Sequence, residues 1–260
     1  MPFHPFPPAD DDAWSDAPLF HLFWQNGDLN PSRAVQMGQR IARDAVRPSG
    51  TPQPMHGAAG WPLPEAVDDH EAAVWRQRAS VRTFAGPPAT PQDLGRLLYP
   101  LRARPDGQTR LLPSGGAKYP LQVYVALCRV AGAPGLERQI AWYDCARHSL
   151  APVCSCPPWQ TLAAALGVDW PHEPAAVIFL MADPRPMLAK YGERGGRFLL
   201  MEAGIYLGAL SYQVAQAGWA GCAIGSFHDD RLLALLGLQA RRHLAVAAYA
   251  CGPRPSGTAR

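Results

Sequence analysis

Two arginines flank a serine in the segment Arg78–Phe84, and this arrangement could bind a phosphate group. Arg78 and Arg82 lie four residues apart around Ser80, so their guanidinium groups can converge on one anion. A guanidinium group binds phosphate through paired hydrogen bonds, and the serine hydroxyl adds a short donor. By itself, the segment is explained equally well by a solvated surface helix.

Two glycine-rich segments could bring the backbone close to a flat ligand. Ser114, Gly115 and Gly116 belong to the sequence LLPSGGAKY, in which small residues permit close approach. Gly221–Phe227 (GCAIGSF) could direct backbone N–H groups at the edge of a ring. In isolation, a strand-to-strand turn and a helix-to-helix turn are the simpler interpretations of the two segments.

The apolar stretch Lys190–Gly218 predicts a central helix. Apolar residues recur at helical spacing and the opposite face is apolar too, which indicates a helix buried on all sides. We expect it to pack under a sheet, with a second subunit as a further option, and to project Lys190 and Tyr191 from its N-terminus. A plain core helix with a solvated basic cap also explains this stretch.

The remaining sequence predicts helices and strands without a regular βα alternation, which favours an α+β fold with a largely antiparallel sheet. Thr90 before a proline predicts the N-cap of a helix over Pro91–Leu98. The other expected elements are helices over Ser32–Val46 (capped by Ser32), 68–78, Trp159–Leu166 and 229–236, strands over Leu121–Val130, Gln139–Tyr143, Ser149–Val153, Ala175–Met181 and Leu244–Cys251, and a turn over Gly218–Phe227.

Composition limits the classes of function. The 260 residues suffice for one large domain or two small ones, and a net charge of +3 without a basic face predicts no nucleic-acid partner. The six cysteines lie mostly in apolar runs, so reduced core thiols are favoured over a metal site at Cys154 and Cys156. The N-terminus lacks a signal-peptide pattern, which predicts a cytoplasmic protein.

Taken in order, these segments resemble the nitroreductase-like flavin fold and, more narrowly, the SagB-type azoline dehydrogenase family. Arg78–Phe84 is similar to that family's arginine–arginine–serine–x–arginine–x–phenylalanine signature, with Ala79 replacing the second arginine. The resemblance covers about Trp75 to Pro255, and its other matching segments are PSGGAKYPLQVYV (113–125), WYDCARHSL (142–150), KYGERGGRFLLMEAG (190–204), Gly221–Phe227 and Gly252-Pro253.

The resemblance implies FMN at a homodimer interface, in a nitroreductase-like domain over residues 65–260 that follows an extension over residues 1–64. Arg254 would be a further phosphate ligand, although a solvated charge explains it as well. The other cofactor-binding residues that it implies are Arg78, Ala79, Ser80 and Arg82 near the phosphate, Ser114, Gly115 and Gly116 along the isoalloxazine ring or ribityl chain (from the partner subunit as one option), and Ile224 and Gly225 near the reactive edge of the ring.

By the same resemblance, Lys190 and Tyr191 are the catalytic residues of a dehydrogenase that oxidises a thiazoline or oxazoline to the aromatic azole. A ring proton is removed while a hydride passes to flavin N5, so the protein must supply a base and orientation. Lys190 would be the base, because cationic neighbours such as Arg194 favour its neutral form, and Tyr191 its partner. Alternatively, Lys190 only pairs with Glu193 or Glu202.

The chain departs from the family at two places, which leaves the substrate less defined than the flavin. Ile205 stands where the family often has histidine, and Gly208-Ala209 where it usually has glutamine and asparagine. The alternatives are an NAD(P)H-dependent nitro or quinone reductase, a desaturase of an amino-acyl substrate, and a scaffold subunit of a peptide-modifying complex. The implied partners are a second copy, a peptide or carrier-tethered azoline and a cyclodehydratase or synthetase, without nucleic acid or membrane.

Overall fold

The computed structural model describes residues 14–45, Leu63 and residues 69–255. Its strands are β1 Leu121–Leu127, β2 Gln139–Asp144, β3 Ser149–Ser155, β4 Ala176–Ala182, β5 Ala220–Ile224 and β6 Leu244–Gly252. Its α-helices are α1 Pro18–Gly27, α2 Pro31–Asp44, α3 Asp69–Gln77, α4 Pro91–Leu98, α5 Trp159–Leu166, α6 Arg185–Tyr191, α7 Glu193–Gln216 and α8 Asp229–Leu235. The strands form one sheet in the order β3-β2-β1-β4-β6-β5, with every neighbouring pair antiparallel. The predicted α+β fold with an antiparallel sheet is confirmed.

The core consists of two layers of apolar side chains, one on each face of the sheet. Every residue of β4 is buried, because this strand lies in the middle of the sheet with helices over both faces. Helices α4 and α7 contribute to the layer on one face, and α5 and α8 to the layer on the other. Each fully buried Leu, Val, Ile or Phe side chain contributes about 1.5–3 kcal/mol, so these two layers provide most of the stabilisation.

Local capping signals place two helices as the sequence predicts. The Thr90 hydroxyl accepts a hydrogen bond from the Asp93 N–H, and the Asp93 carboxylate accepts one from the Thr90 N–H, which forms a capping box at the start of α4. Helix α5 has the predicted limits and ends at Gly167, whose φ of 63° stops the helix. The predicted cap of α2 is wrong, because Asn30 rather than Ser32 accepts the hydrogen bond from the Arg33 N–H.

A glycine divides the predicted central helix. Gly192 has φ 51° and ψ −140°, a combination outside the helical region that glycine adopts at little cost. Helix α6 therefore ends at Tyr191 and α7 begins at Glu193. The prediction that Lys190 and Tyr191 project from the N-terminus of the central helix is wrong, since both lie in the last turn of α6.

Helix α7 is buried on one side only. Its length and apolar composition match those of a membrane span, but here one side packs against β1, β5 and β6 as the core helix of the domain. On the other side, the apolar side chains of Leu200, Met201 and Ile205 are exposed. A Cβ added at Gly204 or Gly208 would meet no described atom within 4 Å. The described residues of one copy therefore do not give α7 the burial on all sides that the composition predicts.

The segment Gly218–Phe227 is not only a turn, because β5 lies within it and pairs with β6 at the edge of the sheet. At the N-terminus, the apolar sequence Leu19–Asn26 forms part of α1, which buries Phe20. The mobile segment expected over residues 1–16 and the linker expected over Arg47–Pro64 lie outside the described residues, apart from residues 14–16 and Leu63. The expected boundary between residues 64 and 65 also lies outside them.

Candidate active site

The Ser114–Gly116 turn packs directly against Lys190 and Tyr191. Gly116 has φ 59°, and a Cβ added there would lie 2.5 Å from Lys190 Nζ and closer still to Tyr191 Oη. A Cβ at Gly115 would lie 3.4 Å from the Cβ of Phe198 on α7. The Tyr191 ring meets the Phe198 ring edge-on at 5.0 Å, and Lys190 Nζ lies 5.2 Å from the centre of the Tyr191 ring. The glycine turn, the lysine and the tyrosine, which the sequence places 75 residues apart, therefore form one cluster.

A hydrogen-bonded network supports this turn from below. The Ser114 hydroxyl accepts a hydrogen bond from the Tyr119 N–H at 2.7 Å, and the Tyr119 hydroxyl accepts one from the Arg110 N–H at 3.0 Å. The Arg110 guanidinium lies 4.9 Å from the centre of the Tyr119 ring. It also donates to the Leu121 carbonyl and to the Tyr206 hydroxyl at 3.0 and 3.1 Å. The backbone of the turn is thus held by a network of half-buried polar groups that ends at the buried Tyr206.

Glu202 of α7 lies in the same region and is a residue that sequence reasoning counted only as a partner for Lys190. Its side chain is buried, and neither carboxylate oxygen has a hydrogen bond of good geometry among the described residues. Burial raises the pKa of Glu202 to about 7, against the lowering effect of the Ser114 hydroxyl, the Arg110 charge and the Gly115 N–H. As the single charge in the run from Phe198 to Leu210, it carried a signal that could have singled it out.

The structure shows no ion pair from Lys190 to Glu193 or Glu202 among the residues that it describes. The Glu193 carboxylate instead accepts hydrogen bonds from the backbone N–H groups of Leu19 and Phe20, at 2.8 and 2.7 Å. These are two of the N–H groups that a helix leaves unpaired at its start, so Glu193 caps α1. Helix α1 is in this way attached directly beside the Lys190 cluster.

A second cluster lies at the Arg78–Ser80 segment. Arg78, Ala79 and Ser80 line a cavity of about 220 Å³, whose other walls are Leu207, Gly208 and Ser211 of α7, Gly221–Ala223 of β5 and Tyr249 of β6. The Val81 N–H donates to the Gly221 carbonyl at 2.9 Å, so the segment runs beside β5. Guanidinium, hydroxyl and small side chains around one cavity suit an anionic group.

The other predicted cofactor residues lie close to this second cluster in the fold. Arg254 donates hydrogen bonds to the carbonyls of Trp219 and Gln77, at 3.0 and 3.1 Å, and so ties the end of β6 to the start of the arginine–serine segment. Arg82 is exposed. Ile224 is buried at the end of β5, while Gly225 after it is exposed, with no described atom within 4 Å of an added Cβ.

Helix α7 separates the two clusters. Phe198 contacts the turn and Ser211 lines the arginine–serine cavity. At 1.5 Å per residue and 3.6 residues per turn, the 13 steps between them correspond to about 20 Å along the axis and to faces roughly 140° apart. One copy of the chain therefore does not bring both sets of residues to a single pocket.

Two further features concern metal and cysteine chemistry. Within the described ranges, no group of three or more His, Cys, Asp or Glu side chains is placed to hold a metal ion. All six cysteines are free thiols, and the sulfur of Cys156 lies 3.9 Å from that of Cys128.

A sequence model of the nitroreductase family matches residues 75–252. The chain belongs to the nitroreductase family. Among curated proteins, this nitroreductase-family chain is 27% identical over 176 residues to a nitroreductase-like protein of Methanocaldococcus jannaschii, a match that covers 67% of this chain and 87% of the relative.

Solved structures share the fold at low identity. The Escherichia coli microcin synthetase complex McbBCD, with truncated pro-MccB17 bound, contains a chain with a TM-score of 0.59 and 18% identity, covering 89% of this chain and 96% of that one. A nitroreductase-like protein of Ralstonia eutropha has a TM-score of 0.60 and 20% identity, and the match covers 79% of this chain and 88% of that one. A Desulfovibrio desulfuricans nitroreductase-like protein in complex with FMN has a TM-score of 0.50 and 18% identity, and the match covers 75% of this chain and 92% of that one. These structures confirm the nitroreductase fold, and the family match over residues 75–252 confirms an oxidoreductase class.

Proposed function

We propose that this nitroreductase-family protein is an FMN-dependent dehydrogenase that oxidises a thiazoline or oxazoline, in a peptide or carrier-bound intermediate, to the aromatic azole. The observation that carries the proposal is the contact of Lys190 and Tyr191 with Gly116. It joins a candidate proton-transferring pair to the glycine turn that the family resemblance assigns to the flavin. The likeness to a chain of a microcin synthetase complex that has truncated pro-MccB17 bound supports the same class of substrate.

The arginine–serine cluster fits the phosphate of FMN. Arg78 and Ser80 offer charged and neutral donors at the rim of a cavity that small residues keep open. Arg254 keeps this segment in place through its two hydrogen bonds to backbone carbonyls. When bound, FMN supplies the electron sink that accepts a hydride. A D. desulfuricans relative with FMN in its structure supports this choice of cofactor.

A homodimer is part of this proposal. The two clusters lie on different faces of α7, so a complete site needs the turn of one copy near the arginine–serine cluster of the other. The exposed face of α7 that includes Leu200, Met201, Gly204, Ile205 and Gly208 suits such an interface, since it combines apolar side chains with glycines that allow a close backbone approach. Covering this face would also complete the burial that the apolar composition of α7 predicts.

In this mechanism Lys190 accepts the proton from the azoline ring through Nζ, and the Tyr191 hydroxyl orients the ring nitrogen. Both atoms lie at the Gly116 backbone, so the turn determines their positions relative to the substrate. Lys190 is exposed in the single chain. A partner copy and bound substrate would exclude water from the Lys190 amine.

The experiment that tests this function is anaerobic titration of the purified, yellow protein with a model thiazoline peptide, followed by flavin absorbance. Lys190→Ala and Tyr191→Phe should keep the flavin and lose at least about 100-fold in the rate of bleaching, the range of general acid–base catalysis. The chain has a second lysine–tyrosine pair, Lys118 and Tyr119, in which Lys118 is exposed. Lys118→Ala is therefore the matched control and should bleach at the normal rate. Full turnover in the Lys190 and Tyr191 variants would remove both from the mechanism.

A second candidate function is NAD(P)H-dependent reduction of nitro or quinone compounds. Membership of the nitroreductase family and the M. jannaschii relative favour it. Rapid bleaching of the flavin by NADPH without thiazoline would select this function over azoline oxidation. Bleaching only by a saturated amino-acyl substrate would indicate a desaturase. A colourless protein that does not take up FMN would indicate a scaffold subunit.

A further inference from the structure

Glu202 places a buried carboxyl group beneath the glycine turn, and among the described residues it forms no salt bridge. Its side chain is 2% exposed, and neither oxygen completes a hydrogen bond with the described part of the chain. The nearby Arg110 guanidinium directs its described hydrogen bonds to the Leu121 carbonyl and the Tyr206 hydroxyl. A buried carboxylate with so little compensation is costly, so the neutral acid is the favoured form while the turn covers it.

The turn connects Glu202 to the candidate catalytic pair. Ser114 and Gly115 face the Glu202 carboxyl group, and both influence its ionisation. The next residue, Gly116, is in contact with Lys190 and Tyr191. A shift of the turn that brings water to Glu202 would therefore also move the backbone on which the lysine and tyrosine rest.

We propose that Glu202 is a positioning residue that holds the Ser114–Gly116 turn against Lys190 and Tyr191, and that it does so most firmly as the neutral acid. Only the expected effect of Glu202 on the reaction rests on the proposed function. The packing of the turn can be measured without any substrate.

The direction of the pH effect follows from the two states of Glu202. Its pKa is about 7 under the closed turn and returns toward 4.5 when water reaches it, so the closed turn binds more protons in this interval. Protonation of Glu202 stabilises the closed turn fully below pH 4.5, and this stabilisation is lost as the pH rises through 7. The difference of about 2.5 units between the two pKa values changes the equilibrium constant for closing the turn by up to roughly 300-fold. Among the described residues, the Arg110 charge acts on Glu202 from a neighbouring segment, and Tyr206 and Cys145 act on Arg110 in turn.

Hydrogen exchange of the full-length protein, measured by mass spectrometry between pH 5 and pH 8, tests this inference. The backbone N–H groups of Ala117, Lys118 and Tyr119 form hydrogen bonds within the turn and report its opening. Their protection, corrected for the intrinsic pH dependence of exchange, should fall by more than tenfold from pH 5 to pH 7. In Glu202→Gln, a neutral side chain of the same shape, the protection should not depend on pH.

Glu137→Gln makes the same chemical change at an exposed glutamate and should behave as the unaltered protein does. The kcat/KM for thiazoline oxidation should lose a titrating limb near pH 7 in Glu202→Gln and keep it in Glu137→Gln. Protection in the unaltered protein that is independent of pH would overturn the inference, even if Glu202→Gln fails to fold. A normal azole-forming reaction with an unchanged pH profile in Glu202→Gln would overturn it as well, while leaving the proposed function intact.

Discussion

Replacing Gly116 with alanine tests the geometry of the candidate active site most directly. Its φ of 59° costs a residue with a Cβ about 1–2 kcal/mol. The new methyl group would occupy the space that Lys190 Nζ and Tyr191 Oη now fill, so both side chains must move. A displacement of about 1 Å at reacting groups costs roughly 100-fold in rate. We therefore expect Gly116→Ala to lose about 100-fold in kcat/KM with only a modest loss of stability.

Gly107→Ala separates displacement from backbone strain. Gly107 has a similar φ of 69°, but an added Cβ meets no described atom within 4 Å. The strain of about 1–2 kcal/mol should lower the melting temperature of both variants by about 2–8 °C, as measured by calorimetry on the FMN-loaded protein. Only Gly116→Ala should slow the bleaching of the flavin by thiazoline.

The outcome that refutes this reasoning is normal thiazoline oxidation by Gly116→Ala. The turn would then not position Lys190 and Tyr191 for reaction, however closely it packs against them. An equal loss of rate in Gly107→Ala would show that backbone strain, rather than the contact, is responsible.

Other variants test the cofactor site, the dimer and the attachment of α1. Arg78→Ala should weaken FMN binding by about 10- to 100-fold, the value of one to two charge-assisted hydrogen bonds, and leave riboflavin affinity unchanged in fluorescence titrations; equal losses for both ligands would contradict a phosphate role. Ile205→Glu should convert a dimer to a monomer in light scattering, whereas Val153→Glu, at an equally exposed residue on β3, should not. Gly196→Ala should detach α1 and expose it to proteases, because the added Cβ overlaps the Phe20 ring; an unchanged digestion pattern would show that this contact is dispensable.

Local signals in the sequence predict much of the fold. The capping residues of α4, the length of α5 and the uniformly apolar β4 all appear where they are expected. These elements depend on neighbours within a few positions, such as a threonine three residues before an aspartate, so a single stretch contains the information. The α+β class follows from their order along the chain.

Other features depend on contacts that no local pattern contains. The strand β5 forms in a glycine-rich segment because β6, whose paired residues lie 24 to 32 positions further along the chain, supplies its hydrogen-bond partners. Gly192 breaks an apolar run that otherwise has helical spacing. The exposure of Ile205 is decided by which side of α7 faces the sheet.

For the candidate site, the sequence by itself determined the chemical groups: guanidinium and hydroxyl donors at Arg78–Ser80, small residues at Ser114–Gly116, and an amine next to a phenol at Lys190 and Tyr191. Only the tertiary structure decided that the glycine turn touches Lys190 and Tyr191, and that the Arg78–Ser80 segment lies against a different face of α7. It also decided that Glu202 is enclosed beneath the turn. Residue type is a local property, whereas distance and burial are results of packing the whole chain around one sheet.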